Sequence, residues 1–548
     1  MIKKVFNLLH QDISGLHKAA YVLGLSALLS QSLALLRDRL FAHSFGAGEI
    51  LDIYYASFRI PDFIFISVAS IVSLSVLIPF LTQQKDKEYS KRFMSEIFSV
   101  FFVLIAVVSL LMFFLMPVLV PFIFRGFSPD ALQQVISLSR IMLLSPILLG
   151  FSNCLTSIIQ VNKKFFIYAI SPLLYNVGII VGIILFYPMF GIKGLAFGVA
   201  LGAFLHLFIQ LPSIYRLGFI PKLILIKKFN KIKKIILLSL PRTLALSSGN
   251  LAILALVAFA STMGEGAISV FNFAFTIQSI PLGIIGVSYS VAAFPILSEL
   301  SRDKKEEFLE QITVVARYIV FWTTTALIFF IVLRAQIVRT VLGSGKFDWT
   351  DTRLTAACLA IFAFSITAQS LVLFFVKGYY AAGITKRPVI INIFSSACIV
   401  AFVFLFKFCF AAIPFLRESI GYIFKVGDIA NIDILILPLS YSLGTILNAC
   451  LLYYLFKKDF NYSSKELEKS YFQTFIASII MGVCAYFSLE LWNNVFDINT
   501  LIGIFLQGLL SGLTGIIVLI IILKWMGNKE INEIFANLKM KFFNGSSC

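Results

Sequence analysis

Long apolar stretches recur along the whole chain, and they constrain its fold more than any other feature of the sequence. Each has roughly 18 to 30 residues, enough for an α-helix to cross about 30 Å of hydrocarbon. Hydrophobic residues make up 59% of the 548 residues and charged residues 13%, whereas about a quarter of the residues in a soluble globular domain are charged. We therefore predict an all-α integral membrane protein with about fourteen transmembrane helices.

The net charge of +18 comes from short clusters of lysine and arginine between the apolar stretches. Every second loop is basic, as in residues 85–92, 216–234 and 457–469. The clusters do not form one continuous basic face, so the pattern does not favour nucleic-acid binding. By the positive-inside rule it predicts that both termini are cytoplasmic, which requires an even number of spans. Such loops also favour contact with anionic membrane lipids.

Two halves of the chain resemble each other at an offset of about 216 to 220 residues. The bend at Gly46, Ala47 and Gly48 recurs at Gly264, Glu265 and Gly266, and further pairs follow in the same order: Gly126-Phe127 with Lys346-Phe347, and Pro172 and Asn176 with Pro388 and Asn392. With six spans in each half, the two halves would have the same orientation in the membrane. Transporters with parallel repeats of this kind place the substrate path between the halves.

The repeat and the basic loops together predict a domain organisation. It consists of an N-lobe with spans 1–6 (residues 1–218), a basic cytoplasmic linker (219–235), a C-lobe with spans 7–12 (236–458), two further spans (470–525) and a cytoplasmic tail (526–548).

Charged residues interrupt the apolar pattern in one hairpin near the amino terminus. They are Arg37, Asp38, Arg39, Asp52 and Arg59, on either side of a bend at residues 44–48. A charge near the centre of a bilayer costs on the order of 3 kcal/mol even on insertion scales, so intramembrane ionisable residues are candidate site residues. The hairpin is therefore the first place to look for a functional site.

The sequence carries no motif typical of a membrane enzyme. The main alternative to a transporter is an integral-membrane glycosyltransferase that acts on a polyprenyl phosphate. Such an enzyme would need clustered carboxylates to bind a metal or to carry out acid–base chemistry. The sequence has short loops, no H-E-x-x-H and no Gly-rich phosphate loop. The seven cysteines lack C-x-x-C spacing and are predicted to be small apolar residues in helix interfaces. We predict a transporter without a cofactor, driven by a coupling cation or by the membrane potential.

The residues of the charged hairpin follow a recognisable order. Ser30, Leu33, Arg37 and Asp38 precede Phe45, Gly46, Ala47, Gly48 and Asp52, which are followed by Ile60-Pro61 and Ile78-Pro79. This order resembles the MurJ/MviN lipid II flippases, which belong to the multidrug/oligosaccharidyl-lipid/polysaccharide exporter superfamily. Later residues also match that family in its order: Gly126-Phe127, Ser171-Pro172 with Asn176, Gly345 to Phe347, and Gly378 to Tyr380.

The resemblance implies a function. Members of the family move lipid-linked peptidoglycan precursor from the inner to the outer leaflet of the bacterial cytoplasmic membrane by alternating access. The partners so implied are a polyprenyl-diphosphate-linked glycopeptide and membrane lipids. The sequence does not determine the oligomeric state, and a monomer is the working expectation. It also implies fourteen spans with cytoplasmic termini, of which the last two form a groove for the polyprenyl tail.

The resemblance also implies site residues. Arg37 is the leading diphosphate ligand, since a guanidinium forms paired hydrogen bonds with phosphate oxygens. Asp52 would be a cavity residue that orients Arg37, and Ser269 a polar cavity residue of the second half, with Asp38 and Arg59 beside them.

Three positions depart from the family pattern, in which basic residues are usual. This chain has Gln31, the apolar segment 63–66 and Thr276 there. Two alternatives therefore stay open: a flippase for another polyprenyl-linked glycan, and a cation-coupled drug exporter of the same superfamily.

Several other polar residues in apolar stretches have simpler interpretations. Asn250 and Asn392 are candidates for a coupling-cation site. They are weak candidates, because side-chain amides commonly form hydrogen bonds between membrane helices without binding a cation. His206 is predicted to be a packed, hydrogen-bonded histidine. Four basic residues are predicted to extend to the membrane interface: Arg140, Lys193, Arg317 and Lys407.

Overall fold

The computed structural model describes residues 16–69, 87–162, 164–219, 222–224, 229–429, 431–498 and 500–543. All regular elements within these ranges are helices, which confirms the predicted all-α class. Residues 1–15, the Ile78-Pro79 pair and residues 544–548 lie outside the described part of the chain.

The chain forms two compact units, Met1–Ser269 (unit 1) and Val270–Cys548 (unit 2). The helices described for unit 1 are α1 (Leu16–Phe45), α2 (Glu49–Ala69), α3 (Lys87–Ile123), α4 (Pro129–Met142), α5 (Leu144–Val161), α6 (Phe165–Val181), α7 (Tyr187–Phe190), α8 (Ile192–Phe208), α9 (Leu211–Leu217) and α10 (Phe229–Ala260). A π-helical turn, Gly182–Phe186, connects α6 to α7.

The next helix, α11 (Ala267–Pro281), begins at the end of unit 1 and continues into unit 2. The remaining helices described for unit 2 are α12 (Ser288–Asp303), α13 (Lys305–Val332), α14 (Arg334–Leu342), α15 (Trp349–Ala363), α16 (Ile366–Ala381), α17 (Lys386–Ala412), α18 (Pro414–Phe424), α19 (Ile436–Phe460), α20 (Lys465–Asn493), α21 (Leu501–Trp525) and α22 (Lys529–Phe543).

The division into units differs from the predicted lobe boundaries. Part of the predicted linker, 219–235, belongs to α10 from Phe229 onward, and α10 belongs to unit 1. Basic residues in a helical extension look the same in the sequence as basic residues in a loop. The predicted boundaries concern the membrane topology of the chain and stay predictions.

Eleven helices of the described residues are long and apolar enough to cross a membrane. The pair Trp349–Ala363 and Ile366–Ala381, bent by 43°, adds a twelfth if it is one broken span. The charged hairpin α1–α2 is not among them, and α2 alone carries four charged residues: Glu49, Asp52, Arg59 and Asp62. The chain is a multi-pass membrane protein, and the predicted number of about fourteen spans is not confirmed.

Markers of the predicted repeat occupy matching positions in the helices. Glu49 begins α2 and Ala267 begins α11, at an offset within the predicted range. Gly46 and Gly264 both precede these helices with positive φ angles of 66° and 102°, a conformation that side chains with a Cβ rarely adopt. The repeated proline and asparagine lie in α6 and in α17. The sequence repeat is therefore also a repeat of local structure.

Glycines allow α6 and α8 to pack closely in unit 1. A Cβ at Gly178 would lie 2.2 Å from Cα of Gly202, and a Cβ at Gly182 would lie 2.6 Å from Cα of Gly198. Small residues permit such close approach of membrane helices, where van der Waals packing is a main source of association. This contact helps to fix α6, which carries Asn176.

Candidate functional site

Arg37 lies on α1 and forms a compact polar cluster with two neighbours. Its Nε and Nη2 atoms donate to Oδ1 of Asp38 at 2.9 and 2.7 Å, and its Nη1 donates to Oδ1 of Asn176 at 3.0 Å. The Asp38 side chain is buried, whereas that of Arg37 is 21% exposed. A guanidinium has five N–H donors, so these bonds leave one N–H on each terminal nitrogen of Arg37. Asp38 is therefore a direct partner of the Arg37 guanidinium, and its role in substrate binding stays a prediction.

Asn176 is a member of this cluster that the sequence interpretation did not assign to the site. Its Nδ2 donates to the carbonyl oxygen of Pro172 at 3.2 Å, which turns the amide oxygen toward Arg37. Its position in the matched Ser171-Pro172…Asn176 pattern was the available signal, but only the fold brings α6 beside α1.

Tyrosines surround the Arg37 cluster. Tyr54 and Tyr55 of α2 and Tyr175 of α6 lie within electrostatic range of the Arg37 guanidinium. Tyr55 also interacts electrostatically with Arg59, and so does the oppositely charged Asp62. Arg59 therefore belongs to the same polar region, about one helical turn after Tyr55 on α2.

Asp52 has different partners from those predicted. Its carboxylate accepts hydrogen bonds from the backbone N–H of Gly266 (2.7 Å), the backbone N–H of Ser269 (2.8 Å) and the hydroxyl of Ser269 (2.6 Å). The first backbone N–H groups of a helix lack intrahelical partners, and a carboxylate at that end also interacts favourably with the helix dipole. Asp52 thus caps α11 from outside the helix.

Two predictions about this pair are corrected by these contacts. The hydrogen bonds described for Asp52 lead to α11 and not to Arg37, so Asp52 does not orient the guanidinium directly. Ser269 is fully buried beneath Asp52 and does not project into an open cavity. The glycine at position 266 is required here, because its φ is +81° and a Cβ would lie 2.2 Å from the carbonyl oxygen of Ala47.

The three departures from the family pattern leave this region with few cations. Gln31 and Thr276 are partly buried, and residues 63–66 continue α2 as an apolar segment. Arg37 and Arg59 are therefore the cations that the described hairpin contributes to the polar region around Tyr55.

The two candidate cation ligands lie in different units. Asn250 on α10 is half-buried and donates to the carbonyl oxygen of Leu246, whereas Asn392 on α17 accepts a hydrogen bond from Asn448 at 2.9 Å. Among the described residues there is no group of three or more histidine, cysteine, aspartate or glutamate side chains that could hold a metal ion.

The structure confirms the interpretation of His206. The ring Nδ1 lies 2.6 Å from the hydroxyl of Ser152, and Gln210 donates to that same hydroxyl at 2.6 Å. His206 is therefore a hydrogen-bonded packing residue of unit 1.

The prediction for Arg317 is wrong. Its side chain is buried and its Nε lies 2.5 Å from Oε1 of Glu530, a fully buried residue of α22. Ser470 also donates to this carboxylate, at 2.8 Å. The predicted cytoplasmic tail thus contributes a docked helix, and an arginine within an apolar stretch together with a glutamate in a basic tail was the signal for it.

Known proteins share long stretches of sequence with this chain. The family described as lipid II flippase MurJ matches residues 41–507. The chain is 26% identical over 502 residues to the probable lipid II flippase MurJ of Borreliella burgdorferi, covering 87% of this chain and 96% of that protein. It is 25% identical over 381 residues to the lipid II flippase MurJ of Burkholderia cenocepacia, covering 67% and 73% of the two chains.

Solved structures show the same fold. A lipid II flippase MurJ in an inward closed conformation superposes with a TM-score of 0.73 at 21% identity, covering 92% of this chain and 99% of that one. An inward-facing MATE multidrug resistance transporter of the MOP superfamily gives a TM-score of 0.59 at 16% identity, covering 79% and 94%. Because the family match extends over most of the sequence, this chain belongs to the lipid II flippase MurJ family.

Proposed function

We propose that this protein moves lipid II, the lipid-linked peptidoglycan precursor, from the inner to the outer leaflet of the bacterial cytoplasmic membrane by alternating access. Membership of a flippase family makes it a transporter and not an enzyme. The related proteins from Borreliella burgdorferi and Burkholderia cenocepacia carry the names of lipid II flippases, which supports the same substrate for this chain.

The observation that carries the proposal is the orientation of the Arg37 guanidinium. Asp38 and Asn176 hold three of its N–H groups, and the side chain remains partly exposed. The remaining N–H on each terminal nitrogen suits two oxygens of a diphosphate, and a charge-assisted hydrogen bond of this kind is stronger than a neutral one. Arg37 would therefore bind the diphosphate, with Arg59 as the second cation.

Further features of the proposal concern the substrate path and the energy source. The polyprenyl tail would lie along the last two spans, residues 470–525, while the headgroup crosses near Arg37. Both termini would be cytoplasmic, and the protein would act as a monomer. A coupling cation, with Asn250 or Asn392 as ligand, or the membrane potential would supply the energy.

Complementation tests the proposal. The chain is expressed in bacteria depleted of their own lipid II flippase, alongside Arg37→Ala and, as a matched control, Arg125→Ala in an exposed loop. We expect the unmodified chain and Arg125→Ala to restore growth and Arg37→Ala to fail at equal membrane abundance. If the unmodified chain is inserted and abundant but does not restore growth, another polyprenyl-linked glycan becomes the better candidate substrate. The absence of basic residues at positions 31 and 276 would then explain the different headgroup.

A further inference from the structure

Unit 1 contains an apolar cavity of about 290 Å³ that is separate from the Arg37 cluster. Side chains of α3, α5, α8 and α9 line it: Phe98, Phe151, Leu155, Leu207, Leu211, Ile214 and Tyr215. Six of these seven side chains are purely hydrocarbon, and Tyr215 adds one hydroxyl. The volume lies at the lower end of the range of about 300 to 1,000 Å³ for small-ligand pockets, so it suits one slender apolar group.

The cavity has a closed floor and an open rim. Leu155 and Ile214 are buried within a core cluster that also includes Met94 and Ile159. Leu211 and Tyr215 at the rim are 43% and 73% exposed. Both rim residues belong to the last part of the candidate span Ile192–Leu217, and tyrosine is common where a span meets the polar headgroups. The rim therefore lies where a membrane lipid can enter.

Basic residues lie beside this rim. Arg216 directly follows Tyr215 and is exposed. The Nζ atom of Lys91 lies 5.9 Å from the centroid of the Phe219 ring, and Phe219 packs against the core cluster of the cavity floor.

Lys222 is held near the same rim by hydrogen bonds of its backbone to α3. Its backbone N–H donates to the hydroxyl of Ser95 at 3.2 Å, and its carbonyl accepts from Ser99 at 3.3 Å. Residues three apart share one face of a helix, so Ser95 lies on the face of α3 that carries the lining residue Phe98. The Lys222 side chain itself is exposed.

Basic residues outnumber acidic ones among the described residues of this segment: Lys87, Lys91, Arg92, Arg216 and Lys222 stand against Glu88 and Glu96. Glu96 pairs with Arg92 on the same helix at 3.5 Å. This excess of basic residues gives the rim a net positive charge beside an apolar cavity.

We propose that this cavity binds one acyl chain of an anionic phospholipid, whose phosphate group contacts Arg216 and Lys222. The apolar lining would separate part of the acyl chain from the surrounding bilayer lipids. It would hold the acyl chain against stacked aromatic rings, such as those of Phe98 and Phe151, whose centroids lie 4.9 Å apart. The cations select a headgroup with net negative charge, because a zwitterionic headgroup also brings an ammonium group toward them. The site is independent of the proposed flippase activity.

Photolabelling of the full-length protein tests this site. The protein is reconstituted in phosphatidylcholine vesicles that contain a small fraction of phosphatidylglycerol with a diazirine at the end of one acyl chain. We expect labelled peptides that contain Phe98 or the segment 207–215. The double variant Arg216→Gln, Lys222→Gln should lose about five-fold in labelling for each cation removed, given the usual attraction of a basic residue to an anionic membrane surface. Labelling of α21 in unit 2 should not change.

A second pair of variants tests the cavity itself. Leu211→Trp places a larger ring at the rim and should reduce labelling of Phe98, whereas Leu110→Trp, on an exposed part of α3 outside the cavity lining, should not. Equal labelling by a diazirine-bearing phosphatidylcholine, or unchanged labelling of the double variant, would overturn the proposal. So would displacement of the probe by undecaprenyl phosphate at concentrations at which unlabelled phosphatidylglycerol has no effect, since the occupant would then be an isoprenoid.

Discussion

The charged residues of the first hairpin divide into two groups by their partners. Arg37 is held by Asp38 and Asn176 and keeps two N–H donors for a ligand. The carboxylate of Asp52, in contrast, accepts hydrogen bonds from backbone N–H groups at the start of α11. The sequence predicted that these residues are special, because charges are costly in a bilayer. Which charge meets which partner could not be read from it, because Asn176 and Ser269 are far from the hairpin in the chain.

Asn176→Ala should reduce transport about ten-fold without loss of folded protein. A hydrogen bond to a charged group contributes about 1.5–3 kcal/mol, and its loss would let the Arg37 guanidinium turn away from the substrate. Initial flipping rates in vesicles measure the effect. The control is Asn162→Ala, which removes a hydrogen bond from the side-chain amide to the carbonyl oxygen of Ile158 at 2.9 Å. Its flipping rate should be close to that of the unmodified protein. Equal rates for both variants would mean that Asn176 does not position Arg37.

Asp52→Asn should impair transport more than Asp62→Asn. An asparagine at position 52 keeps one acceptor oxygen, but its NH₂ group must then face an N–H donor of Gly266 or Ser269, and a buried unsatisfied donor costs about 1–3 kcal/mol. Asp62 is partly exposed and lies near Arg59. Flipping rates and melting temperatures of both variants provide the comparison, and the reverse ranking would contradict the importance of the cap on α11.

At the scale of helices, two contacts join helices whose pairing the sequence does not predict. The buried Arg317–Glu530 pair fastens α22 to α13, and Ile531 of α22 packs in a core cluster with Phe321 and Leu523. In unit 1, opposed glycines bring α6 against α8. Helix periodicity predicts each of these helices, but it does not say which other helix each one contacts.

Removal of one partner of the Arg317–Glu530 pair should strongly destabilise the protein. Arg317→Ala leaves an uncompensated buried carboxylate, at a cost of about 3–5 kcal/mol. The double variant Arg317→Met, Glu530→Leu should recover most of the stability, since it replaces both charges by apolar side chains. Lys529→Ala removes an exposed pair with Glu466 and should cost less than about 1 kcal/mol. Thermal unfolding in detergent, with proteolysis of α22 as a local probe, distinguishes these outcomes.

Gly178→Val should separate α6 from α8. The added side chain meets the backbone of Gly202 and Leu201, and overpacking of this kind costs typically about 1–3 kcal/mol, occasionally more. Gly249→Val makes the same change on α10, where a Cβ meets no atom within 4 Å. Size-exclusion profiles and melting temperatures should show damage for the first variant and little for the second. Similar damage in both would point to helix propensity and not to packing.

For the molecule as a whole, the membrane topology rests on the distribution of basic loops. Reporter fusions test it: a protein domain that is active only in the cytoplasm, attached at either terminus, should be active in both cases. The same domain inserted at Gly345, in a loop predicted to lie on the outer side, should be inactive. Activity at only one terminus would mean an odd number of spans and would contradict the predicted orientation.

The sequence alone determined the class of this protein. The length of the apolar stretches and their low content of charged residues require membrane helices, and the order of the motifs around Arg37 indicated the flippase family. It also determined features that depend on neighbours in the chain, such as the glycine bend between α1 and α2. Only the tertiary structure decided the contacts of the polar residues. Asn176 meets Arg37 across 139 residues, Ser269 meets Asp52 across 217 and Glu530 meets Arg317 across 213. The reason is physical: helix periodicity acts between residues three and four apart, whereas a buried polar group bonds to whatever partner the packing of distant helices places beside it.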